Sequence, residues 1–331
     1  MRIMIYTPVF YPMIGGLENV AALIAHGLHE LGHQVCVVCF TDGKDAREPF
    51  AFKVVRHPSS LELLRRVRWS DVVLQMQVSL KGIWPLLIFP RPLVVSHQTW
   101  LSEWDRPITW RGRLKRLLCR FATNIACSHA VADALKLPCT VVANPYDDTV
   151  FKQLPDIARD KDLLFVGRLV SDKGACVLLA AVGALAREGI RPSVTIVGSG
   201  PEDAALRQQA DDLDIKDQTS FAGPLRGGAL AVEMNRHRFL VVPSLWPEPF
   251  GIVALEGLAC GCHVIGSEQG GLRDAMGDNG TTFPNGDAKG LEEVLHAHLP
   301  RTTTPQAADV HLRRCTPAAT SATYLDCFPT C

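Results

Sequence analysis

The sequence has no apolar run long enough to cross a membrane as a helix, which takes about 20 residues. The longest candidate, residues 82–95, is interrupted by three prolines and an arginine. The first strand-like segment, Arg2–Thr7, begins without the charged and apolar leader of a signal peptide. These absences exclude a helical membrane-spanning protein and predict a cytoplasmic location.

Several site signatures are also missing. The chain has neither a Gly-x-Gly-x-x-Gly dinucleotide fingerprint nor a P-loop, so neither dinucleotide binding nor nucleotide hydrolysis is predicted. The pair Cys36 and Cys39 lacks the second pair that a zinc ribbon requires. It also lies in a strand pattern, where positions three apart face opposite sides. We therefore predict neither a zinc nor a redox role for it.

The chain has no net charge, but its two halves carry opposite net charges. Residues 1–150 carry 17 Lys and Arg against 12 Asp and Glu, and residues 151–331 carry 17 against 22. The basic excess is concentrated between Arg65 and Arg120, with 11 basic and 3 acidic residues. Localised positive charge predicts an anionic partner for the first half of the chain. Nothing in the sequence indicates nucleic acid as that partner.

A basic amphipathic pattern lies within this region, over Trp110–Phe121. Its charges include Arg113, Lys115 and Arg116, and its apolar residues are Leu114, Leu117, Leu118 and Phe121. Such a helix can lie on an anionic membrane surface. It can equally pack its leucines on a sheet as an ordinary surface helix. Both interpretations remain open, and the three named cations are candidates for membrane or acceptor contact.

Strand-like and helix-like segments alternate in two series, which predicts parallel sheets with crossover helices. The pattern lapses around residues 144–160, and a weak helical pattern, Ala308–Phe328, ends the chain. We predict an α/β protein of two doubly wound Rossmann-like domains, residues 1–150 and 151–331, facing each other across a cleft. Ligands of such sheets bind at the carboxyl ends of the strands.

Two glutamates in the second series carry the most chemical information. Glu248 lies in a turn-like run between Pro247 and Pro249, and Glu256 lies in the helical pattern that begins at Gly251. The N-terminus of a helix presents free backbone N–H groups and partial positive charge, which suits a phosphate. Carboxylates beside it accept hydrogen bonds from sugar hydroxyls. The implied ligand is a sugar attached to a nucleotide diphosphate.

The second series opens with a loop that carries two cations, Arg168 and Lys173, between a strand and a helix. Fixed cations stabilise the negative charge that develops on a departing diphosphate, without a metal ion. Three further strand ends are candidates. They are the loop with Gly15, Gly16 and Glu18, the turn at Gly198, and His97 at the end of the strand pattern 93–96.

Together these motifs resemble those of retaining glycosyltransferases of the GT-B fold, especially the large family numbered four. The resemblance implies that Arg168 and Lys173 hold the diphosphate and that Glu248 binds the donor sugar. It also implies roles for the remaining residues. Glu256 would bind the ribose, the Phe250-Gly251 backbone would face the sugar, and Gly198 would lie near the base. Donor or acceptor contacts from the first domain would come from Gly15, Gly16, Glu18 and His97.

The resemblance implies a hexosyltransferase that uses a UDP- or GDP-sugar, needs no cofactor or metal, and acts on a glycan or lipid-linked acceptor. It would serve cell-surface polysaccharide or glycolipid synthesis, peripheral on the inner face of a membrane. Residues 1–150 would bind the acceptor and residues 151–331 the donor, with a C-terminal helix crossing back. Asp274 stands where the family usually has Glu. A nucleotide-sugar epimerase and a non-catalytic binding subunit remain as alternatives.

Overall fold

The computed structural model describes residues 1–13, 15–43, 50–101, 109–300 and 309–329. The chain forms two compact units, Met1–Tyr146 together with Arg313–Cys331, and Asp147–Leu312. Each contains a wholly parallel sheet with helices between its strands, which confirms the predicted α/β class. Ile14 of the predicted Gly-Gly loop and the Thr-rich residues 301–308 lie outside the described residues.

The first unit has a seven-stranded sheet in the order β3-β2-β1-β4-β5-β6-β7. Its strands are β1 (Arg2–Tyr6), β2 (Gln34–Cys39), β3 (Lys53–Arg56), β4 (Val72–Met76), β5 (Leu93–His97), β6 (Thr123–Ala126) and β7 (Thr140–Val141). Its helices up to the division are α1 (Gly16–Glu30), α2 (Ser60–Trp69), α3 (Leu80–Ile83), α4 (Trp110–Cys119) and α5 (His129–Leu135). The order reverses between β1 and β4, so the carboxyl ends of these two strands flank the point where ligands of such sheets bind.

The second unit has a six-stranded sheet in the order β10-β9-β8-β11-β12-β13. Its strands are β8 (Lys161–Val166), β9 (Val194–Val197), β10 (Thr219–Gly223), β11 (His237–Val242), β12 (His263–Ser267) and β13 (Gly280–Phe283). Its helices are α6 (Ala175–Arg187), α7 (Asp203–Asp212), α8 (Gly227–Arg236), α9 (Ile252–Ala259), α10 (Leu272–Met276) and α11 (Ala288–His298). Here the order reverses between β8 and β11. The carboxyl end of β8 leads into the loop that carries Arg168 and Lys173, called the cation loop below. The carboxyl end of β11 leads into the loop that carries Glu248, called the glutamate loop.

The irregular segment that opens the second unit, between Asp147 and β8, is fixed to the rest of that unit by polar side chains. Asn235 in α8 accepts a hydrogen bond from the Leu154 N–H and donates one to the Lys152 carbonyl. Arg159 donates to the backbone carbonyls of His237 and Cys260, which follow the ends of α8 and α9. A guanidinium suits this position because helix C-termini leave carbonyls without intrahelical partners.

The last helices are α12 (Asp309–Arg314) and α13 (Pro317–Asp326), and α13 packs against α1 in the first unit. The approach is close at Gly27, where an added Cβ would lie 2.4 Å from Ser321 Oγ and 2.6 Å from the Pro317 carbonyl oxygen. Tyr324 of α13 is fully buried and reaches Ser96 at the end of β5 with a 2.7 Å hydrogen bond. The C-terminal helix is therefore part of the first unit's core. None of the described helices is long and apolar enough to cross a membrane.

Candidate active site

The loop after β8 presents one exposed cation and one ion-paired cation. Arg168 is exposed, and within the described ranges of the chain its guanidinium has no hydrogen-bond or ion-pair partner. Lys173 ends a short 3-10 turn, Ser171–Lys173, and its Nζ lies 2.5 Å from Glu248 Oε1. The structure thus brings Lys173 and Glu248 together, although the sequence separates them by 75 positions.

Glu248 is held from several directions. It is 9% exposed, and its Oε1 also accepts a 2.7 Å hydrogen bond from the Ser244 hydroxyl. Its backbone carbonyl accepts a 2.6 Å hydrogen bond from the Gly271 N–H. A buried carboxylate is stable only when it is paired and hydrogen-bonded. These contacts supply that environment and fix the direction of the side chain.

The glutamate loop and the cation loop are joined through their backbones. The N–H groups of Leu245 and Trp246 donate to the Asp172 carbonyl at 2.9 and 3.3 Å. Gly174 has a left-handed φ of +66°, and an added Cβ would lie 1.9 Å from the Pro243 carbonyl oxygen. Glycine is required at position 174 both for its conformation and for this approach. The two loops therefore form one structural element.

Asn285 extends this element to the loop after β12. Its Nδ2 donates to the Ser244 carbonyl at 3.0 Å, and its Oδ1 accepts from the Gln269 N–H at 2.8 Å. Sequence reasoning missed both Ser244 and Asn285 as supports of Glu248. Ser244 stands four residues before the glutamate and could have been inferred from the loop itself, but Asn285 is contributed from a distant part of the chain.

Phe250 and Gly251 contribute backbone and packing at the start of α9. The Phe250 side chain is 2% exposed and therefore belongs to the core, so a ligand could meet only its backbone. Gly251 has a φ of +95°, and an added Cβ would lie 2.3 Å from Leu272 Cδ2. The backbone conformation that begins α9 thus depends on glycine.

Glu256 lies on α9 as a partly buried carboxyl. Burial, with a smaller contribution from the Asp147 carboxylate, raises the pKa of Glu256 to about 7. Strongly shifted carboxyls are common where a ligand supplies the missing hydrogen bonds. No hydrogen bond from another described side chain to this carboxyl is present in the structure.

The turn at Gly198 has a structural explanation. Its φ is +148°, and an added Cβ would lie 1.8 Å from the Gly167 carbonyl oxygen. Beyond it, the Leu169 N–H donates to the Ser199 carbonyl at 2.9 Å, which continues the backbone pairing of β8 with β9. Gly198 therefore allows the cation loop to lie beside this turn.

In the first unit, the predicted glycine loop leads into α1. Gly15 is the N-cap with extended backbone, Gly16 is exposed, and Glu18 lies in the first turn. The Glu18 carboxyl folds back over Gly15, where an added Cβ would meet its Oε2 at 2.5 Å. Because extended backbone suits any residue and the Glu18 side chain can move, the structure does not itself require glycine at position 15.

His97 ends β5 and is buried, with 1% of its surface exposed. Asn124 Nδ2 donates to the Cys119 carbonyl at 2.8 Å, so its Oδ1 is the acceptor that faces His97 Nε2 at 3.0 Å. The proton of neutral His97 therefore lies on Nε2, and among the described residues Nδ1 is left as a buried acceptor without a partner. Burial lowers the pKa of His97, which the Asn124 hydrogen bond opposes. A neutral ring accepts hydrogen bonds and does not act as a cation.

The basic helix α4 has an apolar surface that the sheet does not cover. Arg113 is exposed, and Lys115 and Arg116 are partly buried. Leu118 and Cys119 pack inward against β5, whereas four large apolar side chains of this segment remain exposed: Trp110 at 69%, Leu114 at 37%, Leu117 at 49% and Phe121 at 82%. The interpretation that this helix packs its leucines on the sheet is therefore wrong for Leu114 and Leu117.

Acidic clusters do not form a metal site in the described part of the chain, where no three His, Cys, Asp or Glu side chains converge. Two Asp-x-Asp triplets are present, and each aspartate has a protein partner. Asp160 and Asp162 pair with Arg236 and Arg238. In the other triplet, Asp212 accepts from Gln208, and Asp214 pairs with Arg191.

Two parallel, doubly wound sheets with loop-borne polar side chains at their carboxyl edges define the class, a two-domain α/β protein of the GT-B fold. Residues 14–149 match the family described as Glycosyltransferase Family 4, and residues 147–301 match Glycosyl transferases group 1. The chain belongs to the GT-B glycosyltransferases of this family-four type and is a transferase, as its motifs predicted.

Relatives support this placement, and a solved structure shares the fold. The chain is 26% identical over 326 residues to phosphatidyl-myo-inositol mannosyltransferase of Mycolicibacterium smegmatis, which covers 89% of this chain and 84% of that protein. It is 22% identical over 327 residues to alpha-monoglucosyldiacylglycerol synthase of Streptococcus pneumoniae, covering 84% and 74%. HepE of Anabaena, solved in complex with UDP, has the same fold, with a TM-score of 0.83, 20% identity and coverage of 98% and 99%.

Proposed function

We propose that the protein transfers a hexose from a nucleotide diphosphate sugar to a hydroxyl of a lipid-linked or glycan acceptor, with retention of anomeric configuration. The donor binds to the second unit at the loops that carry Arg168, Lys173 and Glu248 and at helix α9, which carries Glu256. The UDP bound by HepE supports a nucleotide donor. Two relatives whose names state lipid products or substrates support a lipid-linked acceptor.

The observation that carries the proposal is that the loop after β8 presents two cations, the exposed Arg168 and Lys173, and that Lys173 forms an ion pair with Glu248. In transfer, the acceptor oxygen bonds to the anomeric carbon while the bond from that carbon to the phosphate oxygen breaks. The diphosphate leaves with the bonding electrons and takes up the acceptor proton. Arg168 and Lys173 stabilise the charge that it gains, and Glu248 accepts hydrogen bonds from the sugar hydroxyls.

The test is a thermal-shift screen of nucleotide sugars followed by an assay of nucleoside diphosphate release with and without acceptor. Binding raises apparent stability by mass action. We expect a shift with at least one UDP- or GDP-hexose and release that depends on acceptor. Conversion of the sugar without release would indicate an epimerase. A thermal shift with no conversion across lipid-linked and glycan acceptors would indicate a binding subunit.

Metal independence follows from the use of two protein cations on the leaving group. We expect the transfer rate in excess EDTA to equal the rate with added magnesium or manganese, because Arg168 and Lys173 supply the positive charge. The measurement is initial rate after extensive treatment of the protein with chelator. Loss of activity that returns on addition of a divalent ion would contradict the expectation.

Glu256 makes donor binding sensitive to pH. Its pKa in the folded protein is about 7, above the ordinary value of 4.5. Between these values the folded state retains a proton that the unfolded chain has lost, so this carboxyl lowers stability as pH rises toward 7. Ribose hydroxyls donate to the ionised form. We therefore expect donor affinity to fall by about tenfold per pH unit below 7, the effect of protonating one required carboxylate.

Calorimetric titrations of a nucleotide sugar at pH 6, 7 and 8 check this dependence. A nucleotide sugar is preferable to a free nucleotide because its phosphates do not titrate in this range. Glu256→Gln keeps the shape, so it should bind donor more weakly at pH 8 and remove the pH dependence. The same variant should unfold at a higher temperature than the parent protein at pH 8. An affinity that stays constant from pH 6 to 8 in the parent would disprove the assignment.

The exposed face of α4 is proposed as the surface that docks on an anionic lipid bilayer. Trp110, Leu117 and Phe121 supply apolar area, and Arg113 with its neighbouring cations supplies charge of the complementary sign. Each Lys or Arg near an anionic surface contributes about 1 kcal/mol. Binding should weaken with salt, since the Debye length falls from about 10 Å at 0.1 M to about 3 Å at 1 M.

Reversal of Arg113, Lys115 and Arg116 to Glu should release the protein from phosphatidylglycerol-containing vesicles in a sedimentation assay. Turnover of a soluble acceptor analogue should be unchanged. The matched control reverses Arg187, Lys216 and Lys289 of the second unit, which changes the net charge equally. Failure of the parent protein to bind such vesicles at low salt would overturn the docking proposal.

A further inference from the structure

The turn after β5 is held from two sides by glutamine side chains. Gln77 Oε1 accepts a hydrogen bond from the Gln98 N–H at 3.1 Å, and the Gln77 N–H donates to the Ser96 carbonyl at 2.7 Å. On the other side, Gln98 Nε2 donates to Ser96 Oγ at 2.8 Å and approaches the Tyr324 hydroxyl at 3.5 Å. Elements from β4, β5 and α13 thus converge on this turn.

Gln77 adopts a backbone conformation that side chains rarely take. Its φ is +79°, a left-handed value that is strained for a non-glycine residue and persists only where surrounding contacts enforce it. Such residues cluster at ligand sites. The strain is maintained here by the contacts of Gln77 with the turn at Gln98, which indicates that the shape of this turn matters to the protein.

The amide of Gln98 is prepared for a ligand. The Nε2 group of the amide donates to the hydroxyls of Ser96 and Tyr324, and these two hydroxyls are themselves 2.7 Å apart. Within the described residues the other polar atom of the amide, Oε1, has no protein partner, and it is not among the buried unpaired polar atoms. Gln98 itself is half-buried. An amide that is already oriented, with its oxygen unpaired, can hydrogen-bond a ligand hydroxyl with little further loss of side-chain freedom.

The position of Gln98 favours a ligand role as well. It follows β5 directly, at the carboxyl edge of a parallel sheet, which is the edge where ligands of doubly wound sheets bind. The amide is neutral, and the adjoining His97 is neutral. A phosphate would require a cation or a nest of N–H groups, whereas a hydroxyl is matched by an amide.

We propose that Gln98 determines acceptor specificity by hydrogen-bonding a hydroxyl of a polyol acceptor headgroup, and that Tyr324 of α13 is the positioning residue for its amide. The proposal rests on the proposed function for its assignment of the polyol as acceptor. Tyr324 touches no substrate in this scheme and acts only through the orientation of Gln98.

Binding of two probes, myo-inositol and methyl β-D-glucoside, is measured by saturation-transfer NMR on the full chain. Gln98→Met removes the amide at nearly constant volume. It should raise the Kd of at least one probe about 3- to 10-fold, the effect of losing one neutral hydrogen bond. Tyr324→Phe should raise it less. The double variant should bind no more weakly than Gln98→Met, because Tyr324 acts through the amide.

Gln34→Met, at the exposed start of β2, is the matched control and should leave probe binding unchanged. Unchanged binding in Gln98→Met, additive effects in the double variant, or failure of the parent to bind either probe would overturn the proposal. The proposed function fails separately, if nucleoside diphosphate release never depends on acceptor although a probe binds. In the transfer assay, Gln98→Met should raise KM for acceptor and leave kcat and the donor KM unchanged.

Discussion

Alanine at Arg168 or at Lys173 is expected to lower kcat by about 10²–10³-fold, the usual effect of removing one donor to a developing negative charge. Arg168 is exposed at the carboxyl end of β8, so its replacement should leave the thermal unfolding temperature nearly unchanged. Steady-state rates with a saturating nucleotide sugar, together with thermal denaturation, provide the measurement.

Lys173→Ala has a second consequence, because it leaves the buried Glu248 carboxylate without its ion partner. Its loss of rate must therefore be compared with a variant that carries the same structural cost. Lys161→Ala is suitable, since Lys161 pairs with Glu233 at 2.6 Å with similar exposure but lies at the amino end of β8. We expect Lys161→Ala to lower stability without lowering kcat. Near-parent turnover in both Arg168→Ala and Lys173→Ala would refute the diphosphate assignment.

The sheet architecture could be predicted because parallel strands are buried on both faces and therefore appear as short apolar runs. The predicted strand-like segments, Arg2–Thr7 and 93–96, fall on β1 and β5. The peripheral strands β3, β7 and β13 were not predicted. They are only two to four residues long, and their residues are largely half-buried, which weakens the apolar pattern.

The C-terminal region shows a different limit. A single weak helical pattern was predicted over Ala308–Phe328, whereas the structure has α12 and α13 with a break at Thr316. Thr316 Oγ1 accepts from the Ala319 N–H and Pro317 begins the helix, which are local start signals. The packing of α13 depends instead on Ser321, which faces Gly27, and on Tyr324, and apolar periodicity does not reveal such contacts.

Within the candidate site, sequence reasoning proposed the residues but not their pairing. Arg168, Lys173 and Glu248 were proposed because glycine and proline mark the loops that carry them. The 2.5 Å ion pair between Lys173 and Glu248 joins loops after different strands, so no local spacing predicts it. The same is true of Asn285, whose amide connects the loops after β11 and β12.

This ion pair leads to the second large expected effect. Glu248→Gln should lower kcat/KM for the donor by about 10²-fold, because an amide is a weaker acceptor of hydrogen bonds from the sugar and no longer balances Lys173. Since the two side chains act as a unit, Lys173→Ala should cost much less rate in the Glu248→Gln background than in the parent protein. We expect a coupling energy in the range of about 0.5–3 kcal/mol that is typical of contacting residues.

A double-mutant cycle on kcat/KM, repeated on the free energy of unfolding, measures this coupling. In the unfolding cycle, Lys173→Ala should be more destabilising than the double variant, because the double variant leaves no unpaired buried charge. The matched cycle on Lys161 and Glu233 should show coupling in stability and none in kcat/KM. If the rate effects at Lys173 and Glu248 are additive, the two residues contribute independently, and the ion pair of the ligand-free protein has no part in donor recognition.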